Sequence, residues 1–576
     1  MNNQQLADIF ERIANLLEIN GEVVYKTLAY RRAAESLRAY PREASELYRE
    51  GKLTEIPGVG KAIAEKIEEL LTTGKLGFLE RLEQEVPPTL LELLEIPDVG
   101  PKKVALFWKQ AGITSLMDLE SAARHGHLRR LPGIGERSEQ RILAGIEALR
   151  RRSKRMLLGT VRPIGLRWLN WLRELPGIQQ VELAGSLRRW KPTIGDLDLA
   201  AAAEDPAAIM DAFVRHPDVV RVLAHGENKS SIELSNGLNV QLWIQPQEKF
   251  GSLLQFVTGS KEHNVRLREL AQRKGLSLSE HGITNADGKE QFFENEIELY
   301  RALGLDWIPP ELREDRGEIQ AALEHRLPDL ITLQDLQAEL HSHSTWSDGA
   351  MSIREMAHAA KARGLKMLAV TDHTHSLGIA NGLDAPRLRQ QRKEIDAVQA
   401  ELGDELILLQ GAEVEIKADG TLDLPDEVLA ELDIVTASLH VSLRQPREEI
   451  TQRLLRAIRN PHVDVIGHPS GRLLPNREGA DLDWEAILAA AREENVALEI
   501  NANPSRLDLD EVHARRAAEL GILLSINTDA HSPADLELAE YGVSVARRAW
   551  LNAAQVLNTR SPVEIRRWLA EHRRAS

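Results

Sequence analysis

The stretch AELHSHSTWSDG, residues 338–349, decides the reading of the C-terminal half. It starts as a short apolar strand and ends in His341 and His343, two apart, so both imidazoles project to one side of an extended chain, with Asp348 following in the loop. The same grammar recurs downstream in MLAVTDH (367–373), ILLQGAEVEI (407–416), IVTASLH (434–440), VDVIGH (463–468), ALEINAN (497–503) and LLSINTDAH (523–531). Helical segments separate these runs. About seven βα repeats in roughly 240 residues predict a (β/α) barrel, whose active site lies at the C-terminal ends of its strands.

All but one of those ends carry groups that can hold a metal: His341 and His343, then His373, Glu413, His440, His468, and finally Asp529 with His531. The sixth ends in Asn501 and Asn503, which are poor ligands. Taken alone, each histidine reads as a hydrogen-bonded loop residue, but scattered surface histidines have no reason to recur at one end of successive strands. Imidazole and carboxylate without thiolate suit zinc or manganese better than calcium or magnesium. So many donors predict a multinuclear centre suited to phosphoester displacement.

The segments LHSHSTWSDG, TDHTHS, GAEVEI, SLH, GHPSGR and TDAH resemble the motifs of the PHP superfamily across nearly the whole C-terminal region. The resemblance implies a distorted (β/α)7 TIM-like barrel with about three ions, Zn2+ or Mn2+. It implies one ion on His341, His343, Glu413 and Asp529, a second on Asp348, His373 and a bridging, catalytic Glu413, and a third on His440, His468 and His531. His375 falls outside the pattern and reads as a loop residue. Arg472 is open to two readings, a phosphate contact or a surface ion pair.

Upstream, GSLRRWKPTIGDLDLA (185–200) places Asp196 and Asp198 at alternate positions of an apolar strand, both facing one way, as a pair of divalent ions on a nucleoside triphosphate requires. The Gly185-Ser186 turn can offer amides to phosphate, and Arg188 or Arg189 can add charge. This block resembles the nucleotidyltransferase signature of family X DNA polymerases, and FVTGSKEHNVRLRELA (256–271) extends the likeness. The resemblance implies an α+β palm with catalytic Asp196 and Asp198 holding Mg2+ or Mn2+. It implies a nucleotide site built from Gly185, Ser186, Arg188, Arg189, Gly195, Phe256, Gly259 and Asn264, with Arg268 toward the template. Phe256-Val257 stands where the family has a tyrosine-phenylalanine pair. Family members have aspartate and arginine in the strand NVQLWI (239–244), whereas this chain has Gln241 and Trp243, an expected impairment of polymerisation. Glu233 could substitute for the lost carboxylate only if it faces the same side.

The first 155 residues read as helices with an internal repeat: LTEIPGVGKAIAEKI (53–67), LLEIPDVGPKKVALF (93–107) and LRRLPGIGERSEQRI (128–142). These turns, with Gly58, Gly60, Gly100, Gly133 and Gly135, resemble helix-hairpin-helix motifs, where helix N-terminal amides meet the DNA backbone, with a monovalent cation as an accessory. The competing reading is a turn with a packing role only, strongest for the second repeat, where Asp98 stands at a position that prefers glycine. YKTLAYRRAAESLRAYP (25–41) with the first repeat resembles the DNA-end-binding domain of family X enzymes, which implies a 5′-phosphate pocket at Lys26 and Tyr30. Lys66 matches a Schiff-base position of some members and equally reads as an exposed helix lysine.

At 576 residues the chain exceeds one core. The expected domains are a DNA-end-binding region 1–90, a fingers-like region 91–156, a palm 157–249, a thumb 250–317, a linker 318–337 and the barrel 338–576. Cysteine is absent, which excludes disulfides and thiolate chemistry. No signal peptide or spanning segment is legible, so the expectation is a cytoplasmic, nucleoid-associated protein, a monomer with no membrane partner. A formal charge of -16 excludes coating nucleic acid by bulk attraction and requires placed contacts. The leading expectation is a repair enzyme that binds gapped or nicked DNA and deoxynucleoside triphosphates, with 3′–5′ exonuclease activity in the barrel. The alternatives are a fully bifunctional gap-filling polymerase and exonuclease, a PHP-type small-molecule phosphatase, or a front half that only delivers the barrel to DNA.

Overall fold

A computed structural model describes every residue except 2, 41, 97–98, 153–154, 378–379, 476 and 576. Asp98 thus lies outside the described residues. By contact the chain divides into two units: Met1–Lys154 with Ser344–Ser352 and Asp372–Asp384, and Arg155–His343 with Ile353–Thr371 and Ala385–Ser576.

The front of the first unit is all helical. Its core is the apolar stripe of the helix Asn3–Asn20 (Leu6, Phe10, Ile13, Leu17) packed with Leu37, Ile67, Val104, Phe107 and Ile146, all essentially buried. Among the described residues the three repeats share one pattern. A 3-10 turn (Leu53–Glu55, Pro88–Glu95, Leu128–Arg130) runs into a tight turn and then a helix (Lys61–Thr73, Pro101–Ala111, Glu136–Arg152). The same backbone bond closes each: Val59 N–H to Ile56 carbonyl, Val99 to Ile96, Ile134 to Leu131, at 3.0, 3.0 and 3.1 Å.

Among the described residues the second unit holds two large sheets and two small ones. The first contains β1 (Ile178–Leu183), β2 (Asp196–Ala203), β3 (Val219–His225), β4 (Lys229–Leu234) and β5 (Asn239–Gln245), in the order β1-β2-β5-β4-β3, with β2 and β5 parallel at its centre. Leu197, Leu199, Val240 and Leu242 point into the core, which leaves the alternate positions Asp196, Asp198, Asn239 and Gln241 on the other face. Helices Phe250–Thr258 and Lys261–Arg273 and a small three-stranded sheet follow, around a core of Leu267, Ile283, Leu299, Tyr300 and Leu303.

The second sheet is the expected barrel. Seven parallel strands, β6 (Ala338–Glu339), β7 (Met367–Val370), β8 (Ile407–Glu415), β9 (Ile434–Ser438), β10 (Val465–Gly467), β11 (Ala497–Asn501) and β12 (Leu524–Asn527), pair in sequential order. A bridge between Ser342 and Ala530, with the His343 N–H donating to the Ala530 carbonyl at 2.8 Å, brings the last strand back to the first and nearly closes the ring. These strands are buried on both faces, as parallel strands covered by helices must be, and so read as apolar runs rather than alternating ones.

Candidate functional site

The barrel's C-terminal rim gathers the donors. His341, His343, Glu413 and Asp529 each offer one atom within 4.8 Å of the others, and all four are buried. His341 Nε2 lies 3.5 Å from Glu413 Oε2 and 3.6 Å from Asp529 Oδ1; His343 Nε2 lies 3.6 Å from Glu413 Oε2 and 3.0 Å from Asp529 Oδ1. An ion held tetrahedrally at about 2.1 Å spaces its donors about 3.4 Å apart, so these residues fit one. Their electrostatics agree: the histidines opposite hold the Asp529 carboxyl well below the carboxylate range despite its burial, and carboxylates raise His341 despite the opposing effect of burial. Backbone strain accompanies the site. Asp529 sits at φ 55 and His468 at φ 28, where side-chain-bearing residues are rare.

The other oxygen of Glu413 faces His468 Nε2 at 2.9 Å and His440 Nε2 at 3.2 Å. His531 does not join them. Its ring stacks on His343 with centroids 4.2 Å apart, and its Nδ1 donates to the Asp529 carbonyl at 2.7 Å, which corrects the expected His440–His468–His531 grouping. The reason is local: His531 follows Asp529 by two residues and leaves β12 on the β6 side of the ring, across from His440 on β9. Asp348 Oδ2 and His373 Nε2 lie 3.5 Å apart. Asp372, next to His373, instead accepts from Ser344 N and Oγ at 2.7 and 2.6 Å.

Three residues absent from the sequence reading, Glu499, Glu415 and Arg506, brace this set together with Asn501, which that reading named only as a poor ligand. Glu499 on β11 accepts from His341 Nδ1 at 2.7 Å and from the His468 amide at 2.6 Å, and Glu415 accepts from His440 Nδ1 at 2.6 Å; with Glu413, it pushes that imidazole up to about 9 against burial. Asn501 Nδ2 donates to Asp529 Oδ2 at 3.2 Å, and Arg506 Nε approaches the same oxygen at 4.0 Å. Alternation along the strands could have flagged Glu415 and Glu499, which fall two residues from Glu413 and Asn501. Arg472 fits neither of its expected roles alone: Nε and Nη2 donate to the carbonyls of Arg506 and Leu507, and Nη1 sits 3.8 Å from Asp510.

On the central sheet, β2 and β5 set Asp196 opposite Asn239 and Asp198 opposite Gln241. Asn239 Nδ2 donates to Asp196 Oδ1 at 3.3 Å. Burial, and then the Asp196 charge, push the Asp198 carboxyl up to about 7, a repulsion that a divalent cation would offset. Gly185 has to be glycine here: its φ is 58, and a Cβ would fall 2.0 Å from Asp198 Oδ2. A cavity of about 440 Å³ opens between this pair and the following helices, lined by Gly185, Ser186, Arg189, Gly195, Phe256, Gly259, Asn264 and Arg268 among others. Arg188 is not there. Both of its terminal nitrogens bind Glu296 at 2.9 Å, in a buried cluster with Arg313, so it is structural and Arg189 alone of the pair faces the cavity. Arg155, which sequence reasoning missed, does line the cavity. Glu233 on β4 shares the Asp196 face, but it stands opposite Asn239 and accepts from Arg221 at 2.7 Å.

In the helical unit, Gly60 and Gly100 cap their helices with ordinary backbone angles, and a Cβ at Gly60, Gly100 or Gly135 would meet nothing within 4 Å. Gly58 and Gly133 both take φ 75. Tyr30 is 6% exposed, its ring stacked between Phe10 and Phe78, while Lys26 and Lys66 lie 5.7 and 5.4 Å from the Phe78 centroid.

Family models match four stretches of the chain. Residues 1–76 match a helix-hairpin-helix domain, 90–148 a SAM-like helix-hairpin-helix tandem, 253–314 the DNA polymerase beta thumb, and 339–503 the PHP domain. Over 251 residues, 42% of this chain and 96% of the relative, it is 34% identical to a probable phosphatase of Thermoanaerobacter sp. (strain X514), and over a similar span 31% identical to one of Caldanaerobacter subterraneus. It is 39% identical over 572 residues, 99% of each chain, to the DNA polymerase/3'-5' exonuclease PolX of Bacillus subtilis (strain 168). A match that runs end to end through every division places this chain in the PolX family of DNA polymerase/3'-5' exonucleases.

Proposed function

We propose that this chain is a DNA-repair enzyme that binds gapped or nicked DNA through its hairpin turns, trims 3′ ends at the barrel rim and receives a deoxynucleoside triphosphate on the central sheet. The observation that carries the reading is the buried quartet His341, His343, Glu413 and Asp529, with donor spacings of 3.0–3.6 Å, in a chain that also bears three hairpin repeats. In this reading Glu413 is shared between that quartet and His440 with His468, Asp348 and His373 supply donors for a further ion, and the ions, about three, are zinc or manganese. When bound, they polarise the phosphodiester and activate water. The protein's own residues hold the donors in one protonation state: Glu499 and Glu415 keep His341 and His440 with Nδ1 protonated and Nε2 turned to the rim. Such an enzyme works beside the nucleoid, as a monomer.

The central sheet is read as the palm, with Asp196 and Asp198 holding Mg2+ or Mn2+ and Gln241 in place of a third carboxylate. Glutamine keeps a ligand oxygen but adds no charge and no base beside the primer 3′-hydroxyl. The deciding experiment incubates the protein with manganese and a labelled gapped duplex, with and without nucleotides. Shortening without nucleotides and slow extension with them are expected. Gln241→Asp should speed extension at least about tenfold, roughly 1.4 kcal/mol of barrier. Efficient extension by the unmodified protein, with nothing gained from Gln241→Asp, would discard the impaired palm; absence of any trimming would discard the exonuclease.

The hairpin glycines give a separate test. Because a Cβ at Gly60 or Gly135 would meet nothing within 4 Å, the double variant Gly60→Val/Gly135→Val should melt as the parent does, yet hold amides off the DNA backbone. Its affinity for gapped duplex should fall about fivefold with a shallower salt dependence. Unchanged affinity would make the turns purely structural.

A further inference from the structure

Where the central sheet meets the barrel within the second unit, a buried cluster of charges joins three parts of the chain. Arg548, the last residue of the helix Ala539–Arg548, has a side chain 1% exposed. Its Nη1 donates to the Arg189 backbone carbonyl at 2.7 Å and to Glu314 Oε1 at 3.1 Å, and its Nη2 donates to Glu511 Oε1 at 2.7 Å. Glu314 also accepts from Arg189 Nε at 3.1 Å and lies 3.8 Å from Lys191 Nζ; Arg316 approaches Glu511 at 3.4 Å. Arg189 is thus gripped at both ends, its carbonyl by Arg548 and its guanidinium by the carboxylate that Arg548 itself holds. Its remaining Nη1 donates to the Thr258 carbonyl, beside Gly259, on the wall of the cavity that also holds Asp196 and Asp198.

Glu314 and Glu511 meet Arg548 and Arg189 on the protein side, and the open side of the cluster is the Arg189 wall of the cavity, where Asp196 and Asp198 also stand. Arg548 can serve three acceptors at once because its guanidinium is a rigid planar fork, which a lysine is not.

We propose that Arg548, a residue of the barrel half, is a positioning residue of the nucleotide cavity on the central sheet: through Glu314 and the Arg189 carbonyl it fixes Arg189 for the triphosphate. The barrel then completes the nucleotide site as well as carrying its own. This rests on reading the cavity as a deoxynucleoside triphosphate site.

The test measures binding of magnesium-dATP to the full-length protein on gapped DNA, by titration calorimetry, in Arg548→Lys, Glu511→Gln and Arg547→Gln. Arg547 is the adjacent control: from the same helix it reaches Glu311 at 2.7 Å and the Ile331 carbonyl at 3.0 Å but does not touch Arg189. Arg548→Lys should weaken dATP about tenfold, the loss of one well-placed charged contact. Glu511→Gln, which lies off the cavity and keeps an acceptor, should weaken it about threefold. Arg547→Gln should bind as the parent does. If Arg548→Lys fails to fold, Glu511→Gln carries the same comparison. Parent-like dATP binding in Arg548→Lys or, should that variant not fold, in Glu511→Gln overturns the proposal, as does an equal loss in Arg547→Gln, which would mean that any disturbance of the interface suffices. No dATP binding by the parent is a different failure: it removes the nucleotide reading of the cavity, and this proposal with it.

Discussion

Replacing Glu413 with Gln should lower 3′-end trimming at least about a thousandfold, roughly 4 kcal/mol of barrier, while gapped-DNA affinity stays within about twofold. The argument is positional. One carboxylate oxygen faces His341 and His343 at 3.5 and 3.6 Å, and the other faces His468 and His440 at 2.9 and 3.2 Å. A single anion therefore serves two donor groups, and it does so from the middle of a fully buried strand. An amide presents one oxygen and one NH2, so whichever way it turns, one group of imidazoles meets a donor where it needs a ligand, and the charge that balances the cations is gone. The hairpin turns proposed to contact DNA lie elsewhere in the chain and do not depend on it. The assay pairs trimming of a 3′-labelled duplex with metal content per protein, and the expected variant loses both. Normal trimming by Glu413→Gln would remove the quartet from the chemistry altogether.

Much of this site was legible in the sequence because a parallel barrel imposes a simple rule. Its strands run the same way, so every strand end reaches one rim, and a donor at the end of each run must meet the others. HSH, TDH, GAE, SLH, GH and TDAH therefore give away both fold and site. What stayed hidden needed register or partner choice. Grouping His531 correctly required knowing on which side of the ring β12 closes, which depends on the Ser342–Ala530 bridge and not on spacing. Of Arg188 and Arg189, adjacent in sequence, only the fold tells which meets buried Glu296 and which meets the cavity. Arg155 closes the basic run RRSKR (151–155), and nothing local marks it as a cavity residue.

The β2–β5 register also resolves what sequence left open about the lost carboxylate. Asp198 stands directly opposite Gln241, across the β2–β5 pair. Glu233 does face the same side, but opposite Asn239 and already paired with Arg221. A replacement base from that strand would have to leave its arginine and reach across β5. If the sheet is the palm proposed above, it lacks a base for the primer at this place, and Gln241→Asp is designed to expose that.

The second large effect is expected at Glu499, a residue that touches no ligand face of the rim. It is completely buried, with Oε1 accepting from His341 Nδ1 at 2.7 Å and from Asn527 Nδ2 at 3.0 Å, and Oε2 accepting from the His468 amide at 2.6 Å. Its neighbours are thus all donors, and the beneficial effect of His341 outweighs burial to hold it ionised. In Glu499→Gln the amide must turn its NH2 toward one of those donors. If it faces the His468 N–H, the strained backbone at φ 28 loses its anchor; if it faces His341, the imidazole loses the acceptor that holds a proton on Nδ1 and aims Nε2 at a cation. Either way the ligand atoms remain but their aim is lost, and affinity for manganese or zinc should fall tenfold to a hundredfold, roughly 1.4–2.8 kcal/mol. Competition against a chelator of known strength reads that change directly. Adding metal should restore most of the trimming rate in Glu499→Gln but not in Glu413→Gln, because only the second lacks a ligand. Metal affinity equal to the parent's in Glu499→Gln would reduce this carboxylate to a packing role.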